Sequence, residues 1–293
     1  MIPSEILKKI RQIEIRTRHM VNDVFAGQYH SVFKGQGMEF EEVREYMPGD
    51  DIRAIDWNVT ARIGHPYIKK YQEERELTVM LLVDISGSQH IGSAEQFKND
   101  LAAELAAVLA FSAIKNNDRV GLILFSSEVE LYIPPRKGPA HVLRVVREVL
   151  YFKPAHRGTR LESALTFLNH VLHRKCVAFL ISDFMDRDFK NPLRVAAKRH
   201  DLISVVVGDR NEEELPPAGI LRLQDAETGE QVLLDTADPS TRRAWASRYK
   251  KKREQLLTTL RGCGSDSIEV RAGEPYEREF IRFFKLRERR KMS

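Results

Sequence analysis

Four short, unbroken apolar runs punctuate the chain: Leu77–Val83, Val120–Phe125, Cys176–Ile181 and Leu202–Val207. They do not alternate with polar residues and are too short for helices. Each is therefore expected to be a strand buried on both faces of a parallel sheet. The stretches between them have helical spacing. Residues 94–116 carry Phe97, Leu101, Leu105 and Leu109 four apart and become apolar almost all round near Val108. That pattern predicts a helix packed deep against the sheet. Residues 139–150 and 161–172 predict two more helices, and 191–198 a short one with Pro192 in its first turn. Strand–helix alternation of this kind predicts an α/β fold of Rossmann type, a doubly wound, mostly parallel sheet with right-handed crossovers.

Later in the chain, residues 221–235 carry two alternating arms around Thr228-Gly229 and predict a β-hairpin. A basic helix over 241–260, a short strand over 268–270 and a terminal helix over 276–290 follow. The first 76 residues differ. Ile6, Ile10, Ile13, Met20 and Val24 predict an amphipathic helix up to Gly27. From Tyr29 to Glu76 the pattern is β-like and irregular. Phe33, Phe40, Val43, Tyr46, Ile55, Trp57, Tyr67 and Tyr71 alternate with charges, and Gly35, Gly37 and Pro48-Gly49 mark turns. The expected organisation is an N-terminal elaboration over 1–76 packed on an α/β domain over 77–293.

Composition changes this picture mainly by exclusion. With 42% hydrophobic and 30% charged residues, the 293-residue chain has the balance of a soluble globular protein. Two separated cysteines, Cys176 and Cys263, exclude a disulfide scaffold and a Cys-rich zinc module. No apolar run approaches the roughly 18–20 residues of a membrane span, and the N-terminus lacks a secretory pattern. The cytoplasm is the expected compartment. Peripheral membrane contact through the N-terminal helix is the lesser alternative to packing on the domain or on a partner. The formal net charge is +5, yet Thr241 to Arg261 alone carries eight basic residues against Glu254. With few interleaved aromatics, that run reads as a solvated helix face, and nucleic-acid binding is the alternative. His170 and His173 share a helix face, but no second pair of ligands matches them.

Open α/β sheets bind ligands past the carboxyl ends of strands, where strand order reverses. The first run is followed by Asp84-Ile85-Ser86-Gly87-Ser88, the third by Ser182-Asp183, and Arg157-Gly158-Thr159 precedes a helix between them. Carboxylates and hydroxyls are thus expected to converge on one edge. In an extended loop Asp84, Ser86 and Ser88 point the same way. Oxygen donors of this kind suit a hard divalent cation, Mg²⁺ first and Mn²⁺ or Ca²⁺ as alternatives. Neutral hydroxyl donors would leave the cation able to attract a further carboxylate. The competing reading is that the Ser and Gly residues only cap the next helix.

These residues resemble the metal-ion-dependent adhesion site of von Willebrand factor A domains. The resemblance implies that domain's fold over roughly 77–210 and a ligand set of Asp84, Ser86, Ser88, Thr159 and Asp183. Gln89 departs from it, standing where that family often has Met. A second, longer signature lies upstream: Gly35-Gln36-Gly37-Met38-Glu39-Phe40, then Arg44 to Trp57, then Ala61-Arg62 and Lys69. It closely resembles the bacterial family called domain of unknown function 58, in which such a stretch precedes a von Willebrand A-like domain. That resemblance implies association with MoxR-family AAA+ ATPases. Family members often carry transmembrane helices ahead of the signature, and none is visible here.

Three roles are open for the dense charges Arg44, Asp50, Asp51, Arg53, Asp56 and Arg62 beside Trp57. They could form an ion-paired network pinning the segment to the domain. They could form a docking face, with Trp57 and the arginines as anchors. Or one carboxylate could reach the metal and occupy its open position. The expected function is a non-enzymatic interaction module that binds a partner carboxylate through its metal, the partner being a MoxR-family ATPase or its client. The enzymatic alternative is a Mg²⁺-dependent phosphohydrolase. Its aspartyl-phosphate type needs a carboxylate two residues past Asp84, where this chain has Ser86. Neither a phosphate-binding Gly-Lys-Ser/Thr loop nor a Gly-x-Ser-x-Gly elbow is present.

Overall fold

A computed structural model describes residues 29, 32–33, 37–74, 76–90, 92–93, 96–186, 188–224 and 229–292. The helix expected before Gly27, Gly35 and Thr228 lie outside them. Strands β1 (Gly37–Glu45) and β2 (Tyr67–Glu74) pair antiparallel. Between them the chain makes a 3-10 turn at Ile52–Ala54 and a helix, α1 (Trp57–Ile63). The sequence pattern predicted only β-like structure there. The helix forms because Asp56, extended, accepts from the N–H groups of Asn58 and Val59. Gly64, at a φ of 86°, closes the other end by donating to the Thr60 carbonyl.

The chain continues through β3 (Thr78–Asp84), a 3-10 turn at Gly87–His90, and two-residue strands β4 (Gly92–Ser93) and β5 (Gln96–Phe97). Next come α2 (Lys98–Lys115), β6 (Arg119–Phe125), β7 (Val129–Arg136), α3 (Pro139–Tyr151) and α4 (Leu161–Val171). Then follow β8 (Val177–Ser182), α5 (Lys190–Arg199), β9 (Asp201–Gly208) and the single turn α6 (Arg210–Glu213). The hairpin β10 (Ile220–Gln224) and β11 (Gln231–Asp235), α7 (Pro239–Gly262), β12 (Asp266–Arg271) and α8 (Glu277–Met292) complete it. The helix predicted from residue 94 begins only at Lys98, because β5 pairs back on β4.

Six strands form the central sheet in the order β12-β9-β8-β3-β6-β7. All neighbours are parallel except β6 and β7. This is the doubly wound, mostly parallel α/β architecture that the apolar runs predicted, with antiparallel strands added at the N-terminus. β7 was not predicted. Pro134 and Pro135 interrupt its pattern, and it is tolerated as a strand because it forms the sheet edge, where proline removes no needed donor. Strand order reverses between β3 and β8, and their carboxyl ends frame the crevice there.

Residues alternate across the sheet. Val79, Leu81 and Val83 face a core shared with α2, α3 and α8, while Met80 and Leu82 face α4, α5 and α7. Tyr29, Val32 and Phe33 are buried in the first of these cores. Gly121 lets β6 lie against Met80. A Cβ there would sit 2.5 Å from the Met80 sulfur and 3.0 Å from the Ile133 carbonyl oxygen. Gly121→Val is therefore expected to lower stability by about 1–3 kcal/mol through overpacking, read as a reduced denaturant midpoint at unchanged slope. Among the described residues no helix is long and apolar enough to cross a membrane.

Candidate functional site

Asp84 ends β3 and Asp183 directly follows β8, so neighbouring parallel strands deliver both carboxylates to the crevice. Asp84 is fully buried. Its Oδ1 accepts from the Ser86 N–H at 2.9 Å and its Oδ2 from the Ser182 hydroxyl at 2.6 Å. Burial, reinforced by the charge of Asp183, holds the Asp84 carboxyl well above the usual carboxylate range despite those bonds. Ser86 and Ser88 are buried with their hydroxyl oxygens 3.0 Å apart.

Thr159 reaches the same edge on a loop tied down from both sides. The Gly87 N–H donates to the Arg157 carbonyl at 2.8 Å, and the Arg160 N–H to the Ser126 carbonyl at 2.9 Å. Glu130 on β7 pins the loop start by accepting from the N–H groups of Ala155 and His156 and from the Ser126 hydroxyl. Burial would raise the Glu130 carboxyl, yet these donors hold it below its usual range. Thr159 is half-buried. The fold thus brings Asp84, Ser86, Ser88, Asp183 and the Thr159 loop to one edge.

Sequence reasoning missed two charged members of this crevice. Lys98, the first residue of α2, is fully buried, and its ammonium donates to Asp183 Oδ2 at 2.8 Å and to Glu212 Oε1 at 2.7 Å. Burial would lower the Lys98 amine, but the two carboxylates outweigh it and raise it, so the residue is charged. Burial raises Glu212 against the pull of Lys98. Lys98 gave no clear signal, because it stands in the polar start of the predicted helix rather than among its all-round apolar positions near Val108. Glu212 sits on α6, a single turn with no apolar periodicity to announce it.

Phe184 was also missed. It adopts a left-handed backbone with a φ of 59°, uncommon for a bulky residue and costing on the order of 1–3 kcal/mol. The Ser182 hydroxyl accepts its N–H at 3.0 Å, and its ring packs on Phe189 at 5.8 Å. The turn that aims Asp183 is therefore held from both sides.

The donors fit a divalent cation in chemistry: all are oxygens, and two carboxylates lie buried beside each other with incomplete charge compensation. Among the described residues no group of three or more His, Cys, Asp or Glu forms a metal cluster, so hydroxyls would be indispensable.

The upstream signature closes largely on itself. Arg44 forms a fork with Asp50, at 2.9 and 2.7 Å. Asp50 also accepts from the Met47 N–H, Asp51 caps the 3-10 turn through the Arg53 N–H, and Asp56 caps α1. Trp57 is 68% exposed, with Met47, Ile52 and Ile63 exposed beside it in sequence. Arg53 and Arg62 are exposed as well. On α7, Arg243, Arg248, Lys250, Lys251 and Lys252 are exposed, while Arg253 pairs with Glu269.

Comparison with known proteins shows what the chain as a whole is similar to. The model of a family described as "Protein of unknown function DUF58" matches residues 42–255. The uncharacterised protein Rv1480 of Mycobacterium tuberculosis is 33% identical over 283 residues, covering 96% of this chain and 89% of that one. The uncharacterised protein YeaD of Bacillus subtilis is 28% identical over 110 residues, 36% of this chain and 25% of YeaD. Among solved structures, BatB from Bacteroides thetaiotaomicron matches with a TM-score of 0.48 and 14% identity, covering 73% of this chain and 99% of that one. The VWA domain of SpRpn10 matches with a TM-score of 0.39 and 10% identity, covering 70% and 94%. These distant structures are similar in fold only.

Proposed function

The chain belongs to the DUF58 family of unknown function, and from the crevice at its switch point we propose that it is a non-enzymatic interaction module. In this reading Asp84, Ser86, Ser88, Thr159 and Asp183 hold a divalent cation, Mg²⁺ or a similar hard ion. A bound cation of that kind would supply a coordination position that a partner's Asp or Glu carboxylate can fill. The partner is a MoxR-family AAA+ ATPase or its client.

The observation that carries the reading is the pair of buried carboxylates, Asp84 and Asp183, on neighbouring strand ends beside the Ser86 and Ser88 hydroxyls. Like charges buried together are costly, and the Lys98 ammonium, shared between Asp183 and Glu212, offsets only part of that cost. Each residue has a definable task. Ser182 and the Ser86 N–H orient Asp84, the turn at Phe184 aims Asp183, and Glu130 fixes the loop bearing Thr159. The phosphohydrolase alternative has less support, because Ser86, the residue in its acid/base position, is buried with its hydroxyl on Ser88.

The test is co-purification of the host's MoxR-family ATPase on the immobilised full chain. The ATPase is expected to be retained in Mg²⁺, and released by a chelator or by Asp84→Asn. Retention that ignores both treatments would remove the metal from the recognition.

A further inference from the structure

We propose that Lys98 and Glu212 set the charge of the crevice and thereby the affinity of its divalent-cation site. Lys98 opposes the cation and Glu212 supports it. The inference rests on reading the crevice as such a site.

The argument begins with burial. The Lys98 side chain has no solvent exposure, and that of Asp183 has 2%. The ammonium lies 2.8 Å from Asp183 and 2.7 Å from Glu212. Glu212 keeps 17% exposure, but the ammonium itself is closed to solvent, so the lysine is a built component rather than a surface ion pair. It is also fixed in place. It is the first residue of α2, and Glu212 lies on α6 past the end of β9, with its carbonyl accepting from the Trp245 indole N–H at 2.8 Å.

Formal charge supplies the next step. Asp84, Asp183 and Glu212 bring three negative charges and Lys98 one positive charge. The remaining two are cancelled by one divalent cation. Lys98 also occupies Asp183 Oδ2, an oxygen that the proposed ligand set requires. A cation using that oxygen must share it with the ammonium or displace it onto Glu212. In either case removing the ammonium favours the cation. Removing the Glu212 charge leaves Lys98 with Asp183 as its remaining carboxylate and strengthens the competition.

Two substitutions are therefore expected to act in opposite directions. Calorimetric titration of MgCl₂ into the full chain should show binding on the order of tenfold tighter in Lys98→Met than in wild type, from the loss of one unit charge a few ångströms away. Glu212→Gln should bind more weakly than wild type. A purely architectural role for the triad would weaken binding in both variants, and that result, or unchanged affinity in both, would overturn the proposal. Circular dichroism confirms folding of each variant. Should Lys98→Met not fold, Lys98→Gln replaces it, and Glu212→Gln, which keeps the size and polarity of the side chain, carries the test independently. No Mg²⁺ binding in wild type or in any variant would refute the divalent site itself. Binding in wild type with Lys98→Met no tighter would refute only the role of Lys98.

Discussion

Phe284→Ala is expected to lower the free energy of unfolding by about 3–5 kcal/mol, the cost of deleting a buried aromatic ring whose site cannot collapse. Phe284 lies on α8 and is fully buried. Its ring centroid is 5.8 Å from Phe33, 6.5 Å from Tyr29, 6.3 Å from Phe280 and 5.4 Å from Phe283. Phe33 in turn stacks edge-on against Phe179 of β8 at 6.0 Å, with the Arg287 guanidinium over its ring at 5.1 Å. One aromatic layer thus joins residues from the start of the chain, its last helix and the central sheet. Tyr29 adds a hydroxyl donated to Asp118, which also accepts the Leu77 N–H at the entrance to β3. Urea denaturation of Phe284→Ala measures the loss. Leu286→Ala on the exposed side of the same helix should stay within about 0.5 kcal/mol of wild type. Because Phe33 and Phe284 touch, their double substitution should cost less than the sum of the single ones. A loss in Phe284→Ala as small as that in Leu286→Ala would mean that α8 does not close this core.

The second large effect is at the crevice. Asp84→Asn keeps the shape of the side chain but removes a buried charge that burial and Asp183 already disfavour. In chelator the variant should therefore fall within about 1 kcal/mol of wild type, since removing a disfavoured buried charge offsets the loss of one of the two hydrogen bonds that the carboxylate accepts. In Mg²⁺ the two should separate. A ligand that binds only the folded state stabilises by about 2.7 kcal/mol at a hundred times its dissociation constant. Wild type should gain that stability on addition of Mg²⁺ and Asp84→Asn should not, which thermal denaturation with and without chelator reads directly. Equal gains would mean that any bound ion sits elsewhere.

What could be foreseen from sequence divides along physical lines. The four strands β3, β6, β8 and β9 were legible because helices cover both faces of a parallel sheet, and burial on both faces leaves unbroken apolar runs. β7 was not, because an edge strand needs neither full burial nor every backbone donor, and Pro134 and Pro135 erase its pattern. The helix α1 was hidden by its length, being made by the Asp56 cap and the Gly64 turn rather than by an apolar stripe. At the crevice, Asp84, Ser86, Ser88 and Asp183 could be named because strand ends fix their positions. Lys98 and Glu212 could not, since their meeting across 114 residues depends on how α2 and α6 approach in space. The strained turn at Phe184 left no local signal either, as αL geometry is usually announced by Gly or Asn.

The claim on which the functional account turns is that Asp84 and its neighbours take up a divalent cation. Calorimetric titration of MgCl₂ into the chelator-treated full chain, wild type against Asp84→Asn, addresses it most directly. The account predicts saturable heat from one site per chain in wild type and none in Asp84→Asn, with Thr159→Ala weakened. Heat of equal size and affinity in wild type and Asp84→Asn, or none in wild type, would contradict it.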